Sequence, residues 1–169
     1  YLCEQKATVL VWAVSALCFI TTMNALDYKT PDTLRAIMFS GEVMPIKHLN
    51  KLRKYLPDVM YVNLYGPTEI TCNCTYYIVD REYQIGEVLP IGVPFPNERI
   101  LLLDENDHEV APGGVGELCV SGTAVALGYF GDSERTKAAF MQNPLNKTHM
   151  ETIYRTGDLG KWNDRGELV

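Results

Sequence analysis

The sequence predicts an α/β protein in two parts: a parallel βαβ subdomain over residues 1–82, followed by a small distorted antiparallel β-barrel subdomain over residues 83–169. Three observations carry this. Apolar, β-branched runs alternate with helical stretches in the first half, at the spacing of βαβ units. Residues 46–56 show one amphipathic helical period. From Tyr83 onward, glycine and proline crowd in between short apolar strands: Gly86, Pro90, Gly92, Pro94, Pro96, Pro112, Gly113, Gly114, Gly116 and Gly122.

Taken in order, Tyr1-Leu-Cys-Glu-Gln-Lys6 reads as the tail of a helix without a preceding cap. Thr8–Ala13 is a strand. Ser15 is placed to cap a helix running to about Leu26. Ala36-Ile-Met-Phe39 is a second strand, closed by Ser40-Gly41. Pro45 suits a first helical turn. Ile46, Leu49, Leu52 and Leu56 then share one face, with Lys47, Lys51 and Lys54 on another, until Pro57-Asp58 stops the helix. Val59–Leu64 is the third strand. In the second half, residues 99–103, 116–120 and 154–162 read as strands. Asp104–His108 is a turn, and Asp132–Phe140 is a helix capped by Asp132 or Ser133. The chain closes on Gly166-Glu-Leu-Val169, in the middle of an apparent strand, and both ends read as those of a fragment cut from a longer protein.

Composition excludes several classes. With 47% hydrophobic and 21% charged residues, the chain is that of an ordinary globular protein. Its net charge of −6 argues against a sequence-independent nucleic-acid binder, which needs a basic face. The longest apolar run, residues 7–20, is interrupted by Thr8 and Ser15 and is too short to cross a membrane; it also lacks a basic signal-peptide start. Five cysteines at irregular spacing point to free thiols and a cytoplasmic location. Cys72-Asn-Cys74 reads better as two core residues on one face of a strand than as half a metal site. Asn73-Cys-Thr75 and Asn146-Lys-Thr148 match the glycosylation sequon by chance, and His48, His108 and His149 are scattered, with no catalytic pairing.

The chemistry concentrates in Tyr61-Val-Asn-Leu-Tyr-Gly-Pro-Thr-Glu69. A strand that ends abruptly in Gly66-Pro67 places the following polar groups at its C-terminal edge, where open α/β sheets bind ligands. A ring for stacking (Tyr65), a hydroxyl for phosphate (Thr68) and a carboxylate for Mg²⁺ (Glu69) point to a nucleoside triphosphate. Far downstream, Tyr154-Arg-Thr-Gly-Asp158 offers a second carboxylate. Asp158 suits both hydroxyls of a ribose diol, with Gly157 allowing close approach of the backbone.

This pair of motifs, together with Phe39-Ser-Gly-Glu-Val43, Gly116-Glu-Leu-Cys-Val-Ser-Gly122 and Leu127-Gly-Tyr129, resembles the adenylate-forming enzymes. These include the adenylation domains of non-ribosomal peptide synthetases, D-alanine–carrier protein ligases and acyl-CoA synthetases. The resemblance runs over almost the whole chain and implies part of the large N-terminal domain of such an enzyme. It implies ATP/AMP and Mg²⁺ as cofactors, an amino-acid substrate, and transfer of the activated acyl group to the phosphopantetheine thiol of a carrier protein. Gly41 and Glu42 would form the wall opposite Tyr65. Asn63, Leu64, Gly66 and Pro67 would lie along the nucleotide. Thr68 and Glu69 would serve catalysis, with Glu69 holding the metal.

The acyl pocket implied by the same resemblance comprises Ser15, Met38, Ser40, Leu64, Cys72 and Asn73, a small and partly polar set that favours D-alanine or another small amino acid. Two positions depart from the pattern: D-alanine ligases carry Cys where Ser40 stands, and Leu127 replaces a common Arg. The family's phosphate loop, the acidic residue for the substrate amino group and the C-terminal domain with its catalytic lysine do not occur in these residues. The 169-residue chain alone is therefore expected to be inactive. An acyl-CoA synthetase and a non-catalytic nucleotide-binding domain are the rival readings.

Overall fold

The computed structural model describes residues 1–169. Its contacts divide into two compact units: Tyr1–Leu64 with Tyr77–Pro90, and Tyr65–Tyr76 with Ile91–Val169. The chain therefore passes between units three times: inside one strand after Leu64, inside another after Tyr76, and again after Pro90.

In the first unit, β1 (Val9–Ala13), β2 (Ala36–Ser40) and β3 (Met60–Tyr65) run parallel, with Val11 opposite Met38, Ala13 opposite Ser40, and Phe39 opposite Asn63. The segment returning after Tyr76 lies beside β3, where Val79 N donates to Tyr61 O at 2.9 Å. The helix expected from Ser15 to Leu26 is broken in two. Helix α1 spans Val14–Thr22, with Ser15 inside its first turn and no side-chain cap. Asn24 then adopts a left-handed φ of 51°, a conformation that asparagine tolerates. The chain resumes as α2 (Ala25–Tyr28). Residues 1–6 form hydrogen-bonded turns rather than a helix tail. Helix α3 (Ile46–Tyr55) follows the amphipathic period, with Pro45 at its N-cap and Ile46, Leu49 and Leu52 buried. These side chains join Val14, Leu17, Ile37, Phe39 and Tyr61 in one apolar core.

In the second unit, β6 (Glu98–Leu103), β7 (Gly116–Gly122), β8 (Phe140–Gln142) and β9 (Thr152–Gly160) form an antiparallel sheet in the order β6-β7-β9-β8. The antiparallel character matches the sequence; the sheet is open, with β6 and β8 at its edges. Both faces are covered. Ile100, Leu102, Leu118, Val120, Phe140 and Tyr154 pack on one side, and Leu101, Leu103, Cys119 and Ile153 on the other. This explains the unbroken apolar run of β6. Helix α4 (Ser133–Ala139) is capped by Asp132, whose carboxylate accepts from Arg135 N at 2.9 Å. It ends before Phe140, which already belongs to β8. Within this unit, β4 (Thr75–Ile78) pairs through Thr75 and Tyr76 with β5 (Val93–Pro94).

Cys72 and Cys74 do not share a strand face. The stretch is an irregular loop; Cys72 is exposed with φ 87°, Cys74 is fully buried, and the strand begins only at Thr75. No helix is long and apolar enough to cross a membrane.

Candidate functional site

The second unit holds Tyr65–Asn73 and Asp158 together. Tyr65 ends β3, and the loop after it closes when Cys74 N donates to Tyr65 O at 2.8 Å. Gly66 is required by close approach: a Cβ there would lie 2.5 Å from Asn73 Cα. Thr68–Ile70 form one 3-10 turn, anchored by the fully buried Ile70. Thr71 and Cys72 then both take left-handed conformations, with φ 55° and 87°. The Thr71 hydroxyl donates to Ala124 O at 2.8 Å, tying this irregular backbone down.

The Tyr65 hydroxyl donates to Asp158 Oδ2 at 2.6 Å. Burial, reinforced by that bond, pushes the phenol well above its ordinary pKa, so it remains a donor at neutral pH. Asp158 itself is exposed on β9. Its backbone N–H donates to Thr156 Oγ1 at 3.0 Å, while the Thr156 hydroxyl donates to Leu118 O at 2.9 Å. Gly157, at φ 78°, donates its N–H to Glu117 Oε1 at 3.1 Å. The other oxygen of Glu117 takes Arg155 Nε at 2.8 Å, and Arg155 Nη1 reaches Asp107 at 2.7 Å. Each residue from Arg155 to Asp158 thus has a hydrogen-bond partner, and Glu117 of the Gly116-Glu-Leu segment holds two of them.

Glu69 sits among tyrosines. Tyr129 Oη donates to Glu69 Oε1 at 2.6 Å, and the Tyr154 phenol lies near the same group. The Arg135 guanidinium lies 3.9 Å over the Tyr129 ring. The Tyr129 hydrogen bond, with smaller help from Tyr154 and Arg135, holds the Glu69 carboxyl below its usual pKa, so it is ionised at neutral pH. Its backbone is held as well: Ala126 N donates to Glu69 O at 2.8 Å.

The remaining site candidates lie in the first unit. Gly41 and Glu42 are exposed just beyond β2, with Gly41 at φ 91°. Parallel register puts Met38 and Ser40 on the same face as Val62 and Leu64. Ser15 is exposed on the first turn of α1. Asn63 points to the other face, where its buried amide donates to Pro90 O at 2.8 Å. Of the six acyl-pocket candidates, Cys72 and Asn73 belong to the second unit. There Asn73 Nδ2 lies 3.1 Å from Cys72 Sγ, and Asn73 Oδ1 is buried without a partner.

Sequence reasoning assigned no role to Tyr129, Tyr154, Arg155 or Glu117. Their signal was membership of the quoted motifs. Their partners lie too far along the chain for any local pattern to reveal.

Chemically, the arrangement offers a tyrosine ring beside an exposed carboxylate, and a second carboxylate kept ionised. No three His, Cys, Asp or Glu side chains cluster as a metal cage. Glu69 by itself suits Mg²⁺, which typically binds through one or two carboxylates and fills its other positions with water and substrate phosphates.

Tyrocidine synthase 3 of Brevibacillus parabrevis is 38% identical over 161 residues, which are 94% of this chain and 2% of that protein. Surfactin synthase subunit 3 of Bacillus subtilis (strain 168) is 35% identical over 164 residues, covering 97% of this chain and 12% of the relative. Among solved structures, holo-PA1221, an NRPS protein containing adenylation and PCP domains, superposes with a TM-score of 0.87 at 30% identity, over 99% of this chain and 29% of that one. IdnL1 gives a TM-score of 0.90 at 30% identity, over 99% of this chain and 35% of that one. The chain therefore spans well under half the length of these relatives. The family model described as AMP-binding enzyme matches residues 1–130, most of the sequence. With the motifs, the fold and this match in agreement, the chain belongs to the AMP-binding enzyme family.

Proposed function

We propose that these residues serve an amino-acid-activating ligase. In the first step, the substrate carboxylate attacks the α-phosphorus of ATP. The bond from that phosphorus to the bridging oxygen breaks, and aminoacyl-AMP and pyrophosphate form. In the second, the phosphopantetheine thiol of a carrier protein, losing its proton, attacks the acyl carbon; the bond to the AMP oxygen breaks and a thioester remains. Tyr65 stacks on adenine, Asp158 accepts the ribose hydroxyls, and Thr68 donates to phosphate. Gly66 and Pro67 line the base site beside Tyr65, whereas the side chain of Asn63 serves the fold, its amide held by Pro90 O. Mg²⁺ held by Glu69 would neutralise charge on the departing pyrophosphate. Catalysis here is largely positioning and charge stabilisation.

The observation that carries this reading is the bond from Tyr65 Oη to Asp158 Oδ2, which sets a stacking ring beside a carboxylate that faces solvent. Ser15, Met38, Ser40, Leu64, Cys72 and Asn73 are small or medium side chains, and they support D-alanine or another small amino acid as substrate. A cytoplasmic site of action fits the five free cysteines and the need for ATP.

The test is amino-acid-dependent ATP–pyrophosphate exchange by the full natural chain, across the L- and D-amino acids. Exchange with one or a few small amino acids is the expected result. Activity only with fatty or aryl acids and CoA would replace this reading with an acyl-CoA synthetase. Absence of binding to ATP and to aminoacyl-sulfamoyl adenosine would mark the nucleotide site as vestigial.

A further inference from the structure

We propose that Tyr129 and Tyr154 are positioning residues for Glu69, fixing its carboxylate in one rotamer ready for a Mg²⁺–triphosphate. This rests on the reading of Glu69 as the metal-binding carboxylate. The argument begins with scarcity. Among these 169 residues no three ligating side chains cluster, so Glu69 acts without a carboxylate cage around it, and a Mg²⁺ ion demands near-ideal octahedral geometry. A glutamate on a three-residue turn would otherwise lose rotamer entropy on each binding event.

The structure shows what removes that freedom. Tyr129 Oη donates to Glu69 Oε1 at 2.6 Å, and the Tyr154 ring, almost fully buried, packs beside this pair against Phe140. Neither tyrosine is free to swing. Phe140 packs against both, with ring centroids 5.6 Å from Tyr129 and 4.9 Å from Tyr154. Arg135 covers the Tyr129 ring from α4. The loop carrying Tyr129 is also pinned. Tyr129 N donates to Thr136 Oγ1 at 2.8 Å, and Gly128, at φ 130°, has no room for a Cβ, which would lie 2.3 Å from Thr136 Cγ2. The tyrosines therefore orient the carboxylate as outer-shell partners orient a ligating side chain. This gives Leu127-Gly-Tyr129 and the first residue of Tyr154–Asp158 a shared purpose.

The experiment uses the full natural chain with Mn²⁺ as probe, titrated by electron paramagnetic resonance in the presence of α,β-methylene-ATP. Nucleotide affinity without metal is measured alongside it. Phenylalanine substitutions keep the aromatic packing and remove only the hydroxyls. Tyr129→Phe is expected to weaken Mn²⁺ binding about tenfold, as loss of a hydrogen bond to a charged group does, and Tyr154→Phe by a smaller factor. Metal-free nucleotide affinity should stay within about twofold, on the same reasoning that neither hydroxyl contacts the nucleotide. In a Glu69→Gln background, which itself loses Mn²⁺ binding, Tyr129→Phe should add nothing further.

If Glu69→Gln abolishes Mn²⁺ binding while both tyrosine variants bind normally, the positioning role is wrong and the metal reading stands. If Glu69→Gln leaves Mn²⁺ binding intact, the metal reading fails and the positioning role falls with it. Loss of nucleotide affinity in parallel with metal affinity would reveal general disordering and overturn the proposal.

Discussion

Tyr65 donates its phenolic proton to Asp158 Oδ2 at 2.6 Å, across 93 residues of sequence. The bond joins the two motifs that carry the nucleotide reading, and it leaves the second carboxylate oxygen of an exposed aspartate available. Tyr65 thus has two separable attributes, a ring and a donor.

Tyr65→Phe keeps the ring and removes the donor. Hydrogen bonds to charged groups contribute about 1.5–3 kcal/mol, and the exposure of Asp158 puts this one at the low end. AMP affinity of the full natural chain should fall about tenfold by calorimetry, the low end of that range. Asp158→Ala should cost more than about one tenfold step, because it removes the acceptor itself. An Asp158→Ala variant with unchanged affinity would refute its ribose role.

Gly66→Ala tests the close approach beneath the nucleotide turn. The added Cβ would meet the backbone at Asn73, which has no flexible end to move aside. Destabilisation of about 1–3 kcal/mol, the usual cost of overpacking, is expected in chemical denaturation. Gly41→Ala meets no atom within 4 Å, so its cost comes only from the backbone at φ 91° and should be about 1 kcal/mol.

Glu117→Ala removes the acceptor shared by Arg155 and Gly157. It should lower stability by about 1–3 kcal/mol, because a partly buried guanidinium loses its nearer carboxylate. Glu117→Gln retains one carbonyl oxygen and should recover part of that loss. A Glu117→Ala variant as stable as the unsubstituted protein would show that the ion pair contributes nothing.

Stability should fall at both extremes of pH. Glu69 has a depressed folded-state pKa, chiefly through Tyr129, so its contribution is present above the ordinary glutamate value and is lost as pH falls through the folded value. Tyr65 and Tyr154 are raised, first by burial, so their contributions are complete below the ordinary tyrosine value and are lost as pH rises through the folded values. The melting temperature should therefore be flat through neutrality, decline below about pH 4 and decline again above about pH 10, the ordinary glutamate and tyrosine values. Tyr129→Phe should blunt the acid decline, and Tyr65→Phe the alkaline one.

What the sequence by itself determined was local. The spacing of Ile46, Leu49 and Leu52 made α3 and chose its buried face, because 3.6 residues per turn leaves a periodic trace. The unbroken run Ile100–Leu103 marked a strand that is covered on both faces. The ordered motifs pointed to the AMP-binding enzyme family. Tertiary structure decided the rest, because the deciding forces act between residues that no window contains. It broke the first helix at Asn24, and it set Cys72 in the open while burying Cys74. It gave Tyr65–Tyr76 to the same compact unit as Tyr154–Asp158. Above all, it matched single donors to single acceptors: Tyr65 to Asp158, Tyr129 to Glu69, Arg155 to Glu117. A hydrogen bond depends on two atoms meeting within about 3 Å, and that meeting exists only once the chain has folded.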